Sequence, residues 1–551
     1  MEGNLTTLPV TEETIRKAEE TLLAYRAAKA PLEARLLENE QWYRLRHWST
    51  MRRNPGDPEP ASAWLLNCIA NKHADAMDNV PEPYVLPREE GDAPDAEALS
   101  AILPVVMELN EYEQVYSDVW WAKLKGGTGV TGVFWNPDGA DGLGDVDIRK
   151  VELLRLYWEP GVSRLQASRN VFHVESVPNE TLIDRWPFLR GRLNGSALTD
   201  SALPASAQTG ERSVVVDWYY KRRCGGRTVV HYAKFVCGNL LYASENDERY
   251  RLRGYYDHGL YPFVFDTQFV EPDSPAGFGY IDVCKQPQMY IDRLNQVILK
   301  GALMAARPRF FIRSDGSINE QEYADWTRDF VHFQGGSSPQ ESIRQIDVRG
   351  PDAVLVRILE GKIEELKETS GNRDFSQGSA ASGVTAAGAI MALQDAGGKL
   401  SRDMLKSSYR AFTKVCELCV ELIRQFYDEP RCFRILGEAA SIRYIRYDNA
   451  RIRPRVEDGL YRKPAFDIKI RPQRSAPMVM SARNEMAREF YKMGFFDPAN
   501  AEQALGCLEM MEFEGKPQMI ELLRRRRGAL VPAAENKGLT LRAGSDAAGM
   551  V

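Results

Sequence analysis

The sequence predicts an α+β fold, and three features of its patterning carry that expectation. Through the first 125 residues the apolar positions recur at helical spacing; after Gly126 the period drops to two; from Pro287 onward helical spacing returns. Strands gathered in one stretch, rather than alternating with helices, are the mark of an α+β chain. A length of 551 residues allows two to four domains with buried cores.

Thr11 ahead of Glu12 and Glu13 makes a capped helix start, and Pro31 suits the first turn of a second helix that runs to about Trp48. The run 54–60 (NPGDPEP) is a breaker. A third helix is expected over about 64–79, with Leu65, Ile69 and Met77 near one face. A charged loop at 88–95 leads to helical segments reaching Lys125. Runs rich in Val, Tyr, Phe and Trp then predict strands at 130–135, 146–158, 171–177, 214–220, 229–236 and 261–269. The small polar stretch 191–211 reads as a mobile surface loop.

Residues 287–306 predict a helix about 20 residues long, roughly 30 Å, stopped by Pro308. A compact unit is expected next: strand 309–313, turn 314–316, helix 318–328 and strand 330–333. Pro351 opens a helix over 351–368, followed by a Ser/Gly/Ala loop at 370–384 and a very long helix from about 386 to 427. Strands near 431–447 and 466–472 lead to a helical end at 481–527. The remaining tail lacks periodicity and is expected to be disordered.

Hydrophobic and charged contents of 44% and 27% are those of a globular chain. A formal net charge of −6 argues against a protein that coats nucleic acid tightly. It is compatible with a DNA conduit, whose wall should let phosphates slide. No run approaches the ~18 apolar residues that span a bilayer, and the N-terminus shows no basic or apolar leader pattern. Eight scattered cysteines are not a disulfide scaffold and suggest a reducing compartment.

Candidate chemical motifs each have a plainer reading. Gly127, Gly129 and Gly132 spell G-x-G-x-x-G, yet a helix precedes and a strand follows, the reverse of a dinucleotide site. Gly397-Gly398-Lys399 is followed by Leu400 where a P-loop needs Ser or Thr. Cys416 and Cys419 share a helix face and read as core residues rather than metal ligands. The loop 137–147 is rich in Asp but lacks the terminal Glu of a calcium loop, so a hairpin turn is expected. The six histidines form no metal motif, and Arg524–Arg527 is either a solvated face or a surface for nucleic acid or a partner. No catalytic site, cofactor or metal is expected.

The helices at 287–306 and 351–368 bracket an insert of about forty residues, which makes a rod with a knob at its tip. Rods packed side by side about an axis would form a barrel wall, a cyclic assembly in which one surface meets a different surface of the neighbour. The runs GFGYIDVCKQPQMYIDRLNQVILKGALMAARPRFFI (277–312), SGVTAAGAIMALQDAGGKLSRDMLKSSYRAF (382–412) and NEMAREFYKMGFFDPANAEQALGCLEMMEFEGK (484–516) resemble portal proteins of tailed phages and prophages, over about residues 60 to 520. The resemblance implies a portal fold with an α/β wing, an antiparallel helical stem, a small α/β clip and a short helical crown. Carried onto this sequence, the wing takes 1–286 and 386–475, the stem 287–306 and 351–368, and the clip 307–350. The tunnel loop takes 369–385, the crown 476–527 and a disordered tail 528–551.

The same resemblance implies a ring, usually of twelve copies, at one capsid vertex, assembled in the bacterial cytoplasm. Double-stranded DNA would pass through it non-specifically. The terminase large subunit, head–tail adaptors, and the major capsid or scaffolding protein would be partners, with no membrane. The short C-terminal region departs from larger members and argues against a long barrel. Lys362, Lys367, Arg373 and Gln377 are the candidates to lie nearest the channel, with Glu360, Glu364, Glu365 and Glu368 keeping affinity for DNA low; the alternative is that some of them face neighbouring subunits. The competing readings are another non-enzymatic head–tail adaptor without a central hole, or an enzyme such as a nuclease or ATPase.

Overall fold

The structure is a computed structural model that describes residues 10–51, 56–193, 200–202, 211–306, 309–312, 343–346, 352–371, 399–436, 442–457, 460–472, 477–494 and 501–511, with single positions or pairs at 319, 321–322, 325, 332, 350, 516 and 519–520. Helix α1 (Glu12–Tyr43) begins at a reciprocal cap in which Thr14 N donates to Thr11 Oγ1 and Thr11 N to Thr14 Oγ1. It is one continuous helix of 32 residues with Pro31 inside, where the sequence suggested two. An interior proline costs about 3 kcal/mol. Burial of Ile15, Ala18, Leu22 and Tyr25 before it and Trp42 after it offsets that cost.

Helix α2 (Trp64–Met77) leads into β1 (Pro81–Pro87), then α3 (Ala93–Leu109) and α4 (Tyr112–Gly126). Strand β1 goes unseen in the sequence because Pro81, Pro83 and Pro87 argue against pairing; it survives with a single partner, where proline is tolerated. Next come β2 (Thr128–Asn136), β3 (Asp145–Val151), β4 (Leu156–Trp158), β5 (Asn170–Pro178), α5 (Asn179–Arg185), β6 (Arg212–Cys224), β7 (Arg227–Val236), β8 (Asn239–Ala243) and β9 (Phe263–Thr267). They form an antiparallel five-stranded sheet, β4-β5-β6-β7-β8, and a three-stranded one, β3-β2-β9. The Asp-rich loop is the turn of the β2–β3 hairpin, as expected.

The second half holds α6 (Tyr280–Ala306), β10 (Arg309–Ile312) paired with β11 (Ile343–Ile346), α7 (Ala353–Ser370) and α8 (Lys399–Phe426). Strands β12 (Arg431–Leu436) and β13 (Ile442–Tyr447) pair with each other, as do β14 (Arg455–Glu457) and β15 (Leu460–Arg462). Strand β16 (Phe466–Pro472) returns to pair with β1, and α9 (Pro477–Lys492) and α10 (Ala501–Met510) follow. The helix expected at 318–328, the strand at 330–333, the loop at 370–384, the first part of the long helix, most of 191–211 and the tail 528–551 lie essentially outside the described residues.

Two apolar clusters hold this mixed helical and stranded body together. The larger gathers α2, α3, α4, β2, β3 and α8, and includes Cys416 and Cys419, both without solvent exposure. Burial raises both thiols far from the range in which they would ionise. The smaller cluster lies between the first half of α1 and the five-stranded sheet.

Candidate functional site

The feature that sets this body apart is an antiparallel pair, α6 and α7, rooted in the core at one end and, among the described residues, uncovered toward the other. Helix α6 starts seven residues before the position suggested by Pro287, because Asp282 Oδ2 accepts from Gly279 N at 2.9 Å and Tyr280, Ile281 and Cys284 are buried. Its first residues are wedged against the glycine motif. Gly127 has a left-handed φ of +87 and caps α4, its N–H donating to Lys123 O at 2.8 Å. A Cβ on Gly127 would come 2.3 Å from Phe278 C, and one on Gly277 would come 1.8 Å from Phe269 O. Those glycines serve close backbone packing at a helix-to-strand junction.

Deeper in the root, Asp292 is fully buried. It accepts from Ser62 N and from Gln288 Nε2, each at 2.9 Å, and lies 3.0 Å from His47 Nε2. Gln288 Oε1 accepts from Leu65 N at 3.2 Å, and Gln288 Nε2 also donates to Ser62 O at 2.9 Å. Further along, Gln296 Nε2 donates to Pro58 O and Lys300 pairs with Asp57 at 2.7 Å. The 57–65 segment, which begins within the 54–60 breaker, is thus laced along α6. Helix α7 is fixed at the same end, where Leu366 packs with Ile291 and Cys68, and Cys68 Sγ donates to Ser370 Oγ at 3.2 Å. Asp352 caps its far end by accepting from Val354 N at 3.1 Å, and Gly371 closes it with φ +67.

Past Asp292 the pair projects. The shaft of α6, residues 293–306, is roughly 21 Å long and none of it is buried. Val297, Leu299 and Leu303 are exposed on it, and Val354, Val356 and Ile358 on α7. At about 100° per residue, Val297 and Leu299 point to nearly opposite sides, as do Val354 and Val356. The outer face of α7 instead carries Arg357, Glu360, Glu364 and Glu368.

Lys362 and Lys367 belong to this pair but sit on opposite flanks of α7, about 140° apart and on either side of the buried Leu366. Lys362 bonds Glu365 at 2.6 Å and lies 5.6 Å from the Tyr290 ring centre; Lys367 lies 5.6 Å from that of Trp64. Arg373 and Gln377 lie outside the described residues. Helix α8 is tied to the body by two buried polar clusters. Lys123 donates to Asp266 at 2.7 Å and to Ser408 Oγ at 2.8 Å, and Lys72 donates to Ser401 Oγ at 3.0 Å, which in turn donates to Asp75 at 2.9 Å. Sequence reasoning missed these groups and the His47–Asp292 contact; polar residues at four-residue spacing on an apolar face, Gln288 and Asp292, were the available signal.

Among the described residues no group of three His, Cys, Asp or Glu is arranged to hold a metal ion, and no helix is long and apolar enough to cross a membrane. A rigid body with a protruding, laterally apolar helical pair is the architecture of a structural assembly subunit. The chain matches the family described as Phage P22-like portal protein over residues 73–260 and 261–540, and it belongs to that family. The family is structural and in general non-enzymatic, with a role as phage head–tail connector. No curated protein matches the chain.

Proposed function

We propose that the chain is one subunit of a closed ring at a single capsid vertex, through which the genome is packaged and later ejected, and on which the terminase and tail adaptors dock. The observation that carries this reading is the projecting pair α6–α7, with exposed apolar side chains on opposite flanks of each helix. Apolar side chains on several sides of a helix call for cover on several sides. A neighbour to the left and another to the right supply it, and repetition about an axis closes a ring. The α6–α7 pair is then the stem, 307–350 the clip, 369–385 the tunnel loop, 1–286 with 386–475 the wing, and 476–527 a short crown.

Within that ring the acidic outer face of α7 suits a wall that DNA slides past, since phosphates are repelled rather than gripped. Lys362, Lys367, Arg373 and Gln377 are the groups assigned to the channel side. Photo-crosslinking side chains placed at these four positions in packaged particles test the assignment; absence of DNA adducts at all four removes it. Native mass spectrometry with negative-stain imaging of the purified chain tests the ring. Closed particles with a central opening are expected, and compact particles without one would sink the reading. Val297→Asp with Leu303→Asp should cut the ring fraction at least tenfold while leaving the circular dichroism of the subunit unchanged.

A further inference from the structure

A groove of about 1020 Å³ runs between α8, β16 and the segment after β9. Its floor is apolar, with Phe265, Leu418, Phe466 and Ile468, and Leu260 and Val270 stand exposed at its edge. Arg164, Arg410 and Lys414 line it, all exposed and, among the described residues, without an ion pair; Glu417 is the carboxylate facing them. Two further pairs, Arg88 with Asp467 and Lys463 with Glu421, neutralise themselves.

On the other side of α8 lies the corner between α3 and α4, with Leu109 at its exposed tip and its glutamates edging a second cleft that also holds Arg434. Glu108, Glu111 and Glu113 are exposed there and carry no ion pair among the described residues, and Leu109 is 66% exposed between them. Asn110 holds this corner rigid: its Nδ2 donates to Val106 O at 2.8 Å and Val146 O at 3.0 Å, and its Oδ1 accepts from Ile148 N at 2.8 Å. Glu111 takes the left-handed conformation that turns the chain. The ring of Phe412 packs on Tyr112 at 5.2 Å, whereas Arg410 lies about 160° around α8 from Phe412. Corner and groove therefore face opposite ways and do not meet within one chain.

We propose that the acidic α3–α4 corner of one copy of this chain seats in the basic groove of the next, Leu109 on the apolar floor and its glutamates against Arg164, Arg410 and Lys414. This rests on the ring reading above and extends it by assigning a contact in the body, apart from the stem. An acidic corner tipped by an exposed leucine and a basic groove with an apolar floor, on opposite sides of one molecule, supply the two unlike surfaces that a head-to-tail ring contact requires. Charges left unpaired on both surfaces find partners across the contact, and complementary potentials fix its register and suppress wrong pairings. The apolar floor supplies the desolvated centre and the charges form the rim.

Charge reversal on the full-length chain tests this, with half-assembly concentration read by native mass spectrometry and folding checked by circular dichroism. Arg410→Glu with Lys414→Glu, and separately Glu108→Lys with Glu111→Lys, should each raise that concentration at least tenfold. The chain carrying all four changes should recover to within about threefold of the unaltered one, since the reversed faces again attract. Rings that persist undiminished in either pair of changes overturn the contact alone, as does failure of the fourfold variant to recover. An unaltered chain that stays monomeric at every concentration overturns the ring reading beneath it.

Discussion

Replacing Asp292 by alanine should loosen the root of the stem and little else. The carboxylate accepts two hydrogen bonds and lies against His47, all at full burial. Alanine leaves the Ser62 amide without an acceptor, removes the carboxylate that lies against the His47 ring, and opens a void between them. Each buried donor left unpaired costs about 1–3 kcal/mol, and the void adds the packing lost around it. A local cost near 3 kcal/mol corresponds to roughly a hundredfold, at about 1.4 kcal/mol per factor of ten. Hydrogen exchange by mass spectrometry resolves this, because local opening is measured segment by segment. Amides of 284–298 and 60–68 should exchange roughly a hundredfold faster in Asp292→Ala, with β6 and β7 unchanged. Asp292→Asn, which keeps an oxygen for the Ser62 amide, should show a smaller effect. Unchanged exchange at 284–298, or equal acceleration throughout the chain, would refute the reasoning.

Three further outcomes are expected. Burial pushes the Lys29 ammonium down to about 7, despite hydrogen bonds to Leu153 O and Leu156 O. The folded state therefore binds fewer protons than the unfolded one between about pH 7 and 10.5, and the unaltered chain should gain stability relative to Lys29→Met as pH rises through that window; a difference in melting temperature that stays flat from pH 7 to 10 contradicts this. Burial likewise pushes the His231 imidazole down to about 4, so the stability it contributes is complete above about pH 6.5 and is lost as pH falls toward 4. A His231→Gln chain should show a shallower acid dependence of its melting temperature. Gly277→Ala, whose Cβ would meet Phe269 O, should yield no folded protein on expression, whereas Gly361→Ala, with nothing within 4 Å, should stabilise α7 by about 1 kcal/mol, read as slower exchange there.

The sequence made the α6–α7 pair legible because each helix carries a long helical period with clear stops. It could not reveal how the pair is rooted. Gln288 and Asp292 look like ordinary polar positions until His47, Ser62 and Leu65 arrive from far away in the chain. The reversed glycine motif was read correctly as a junction, but its purpose depends on Gly277 and Phe278, which only the fold brings near. Strand β1 and the unbroken α1 went unread for one reason: proline is a local signal, and tertiary packing overruled it in both places. The outward-facing corner and groove went unread because unpaired charge is a property of surroundings rather than of spacing.

Helix α1 ties the two cores into a single mechanical unit. Ile15, Leu22 and Tyr25 grip the sheet-side cluster, while roughly 48 Å of continuous helix ends at Tyr43, just past Trp42, whose ring stacks on His47 at 4.2 Å. In its last third, Arg35 donates to Gly277 O at 2.8 Å and Asn39 to Asp282 at 3.0 Å, so this strut also clamps the base of α6. Any tilt of the five-stranded sheet therefore has a helical path to the foot of the projecting arm, and Pro31, between the grip and the clamp, is the point on it where the helix lacks a hydrogen bond and can bend.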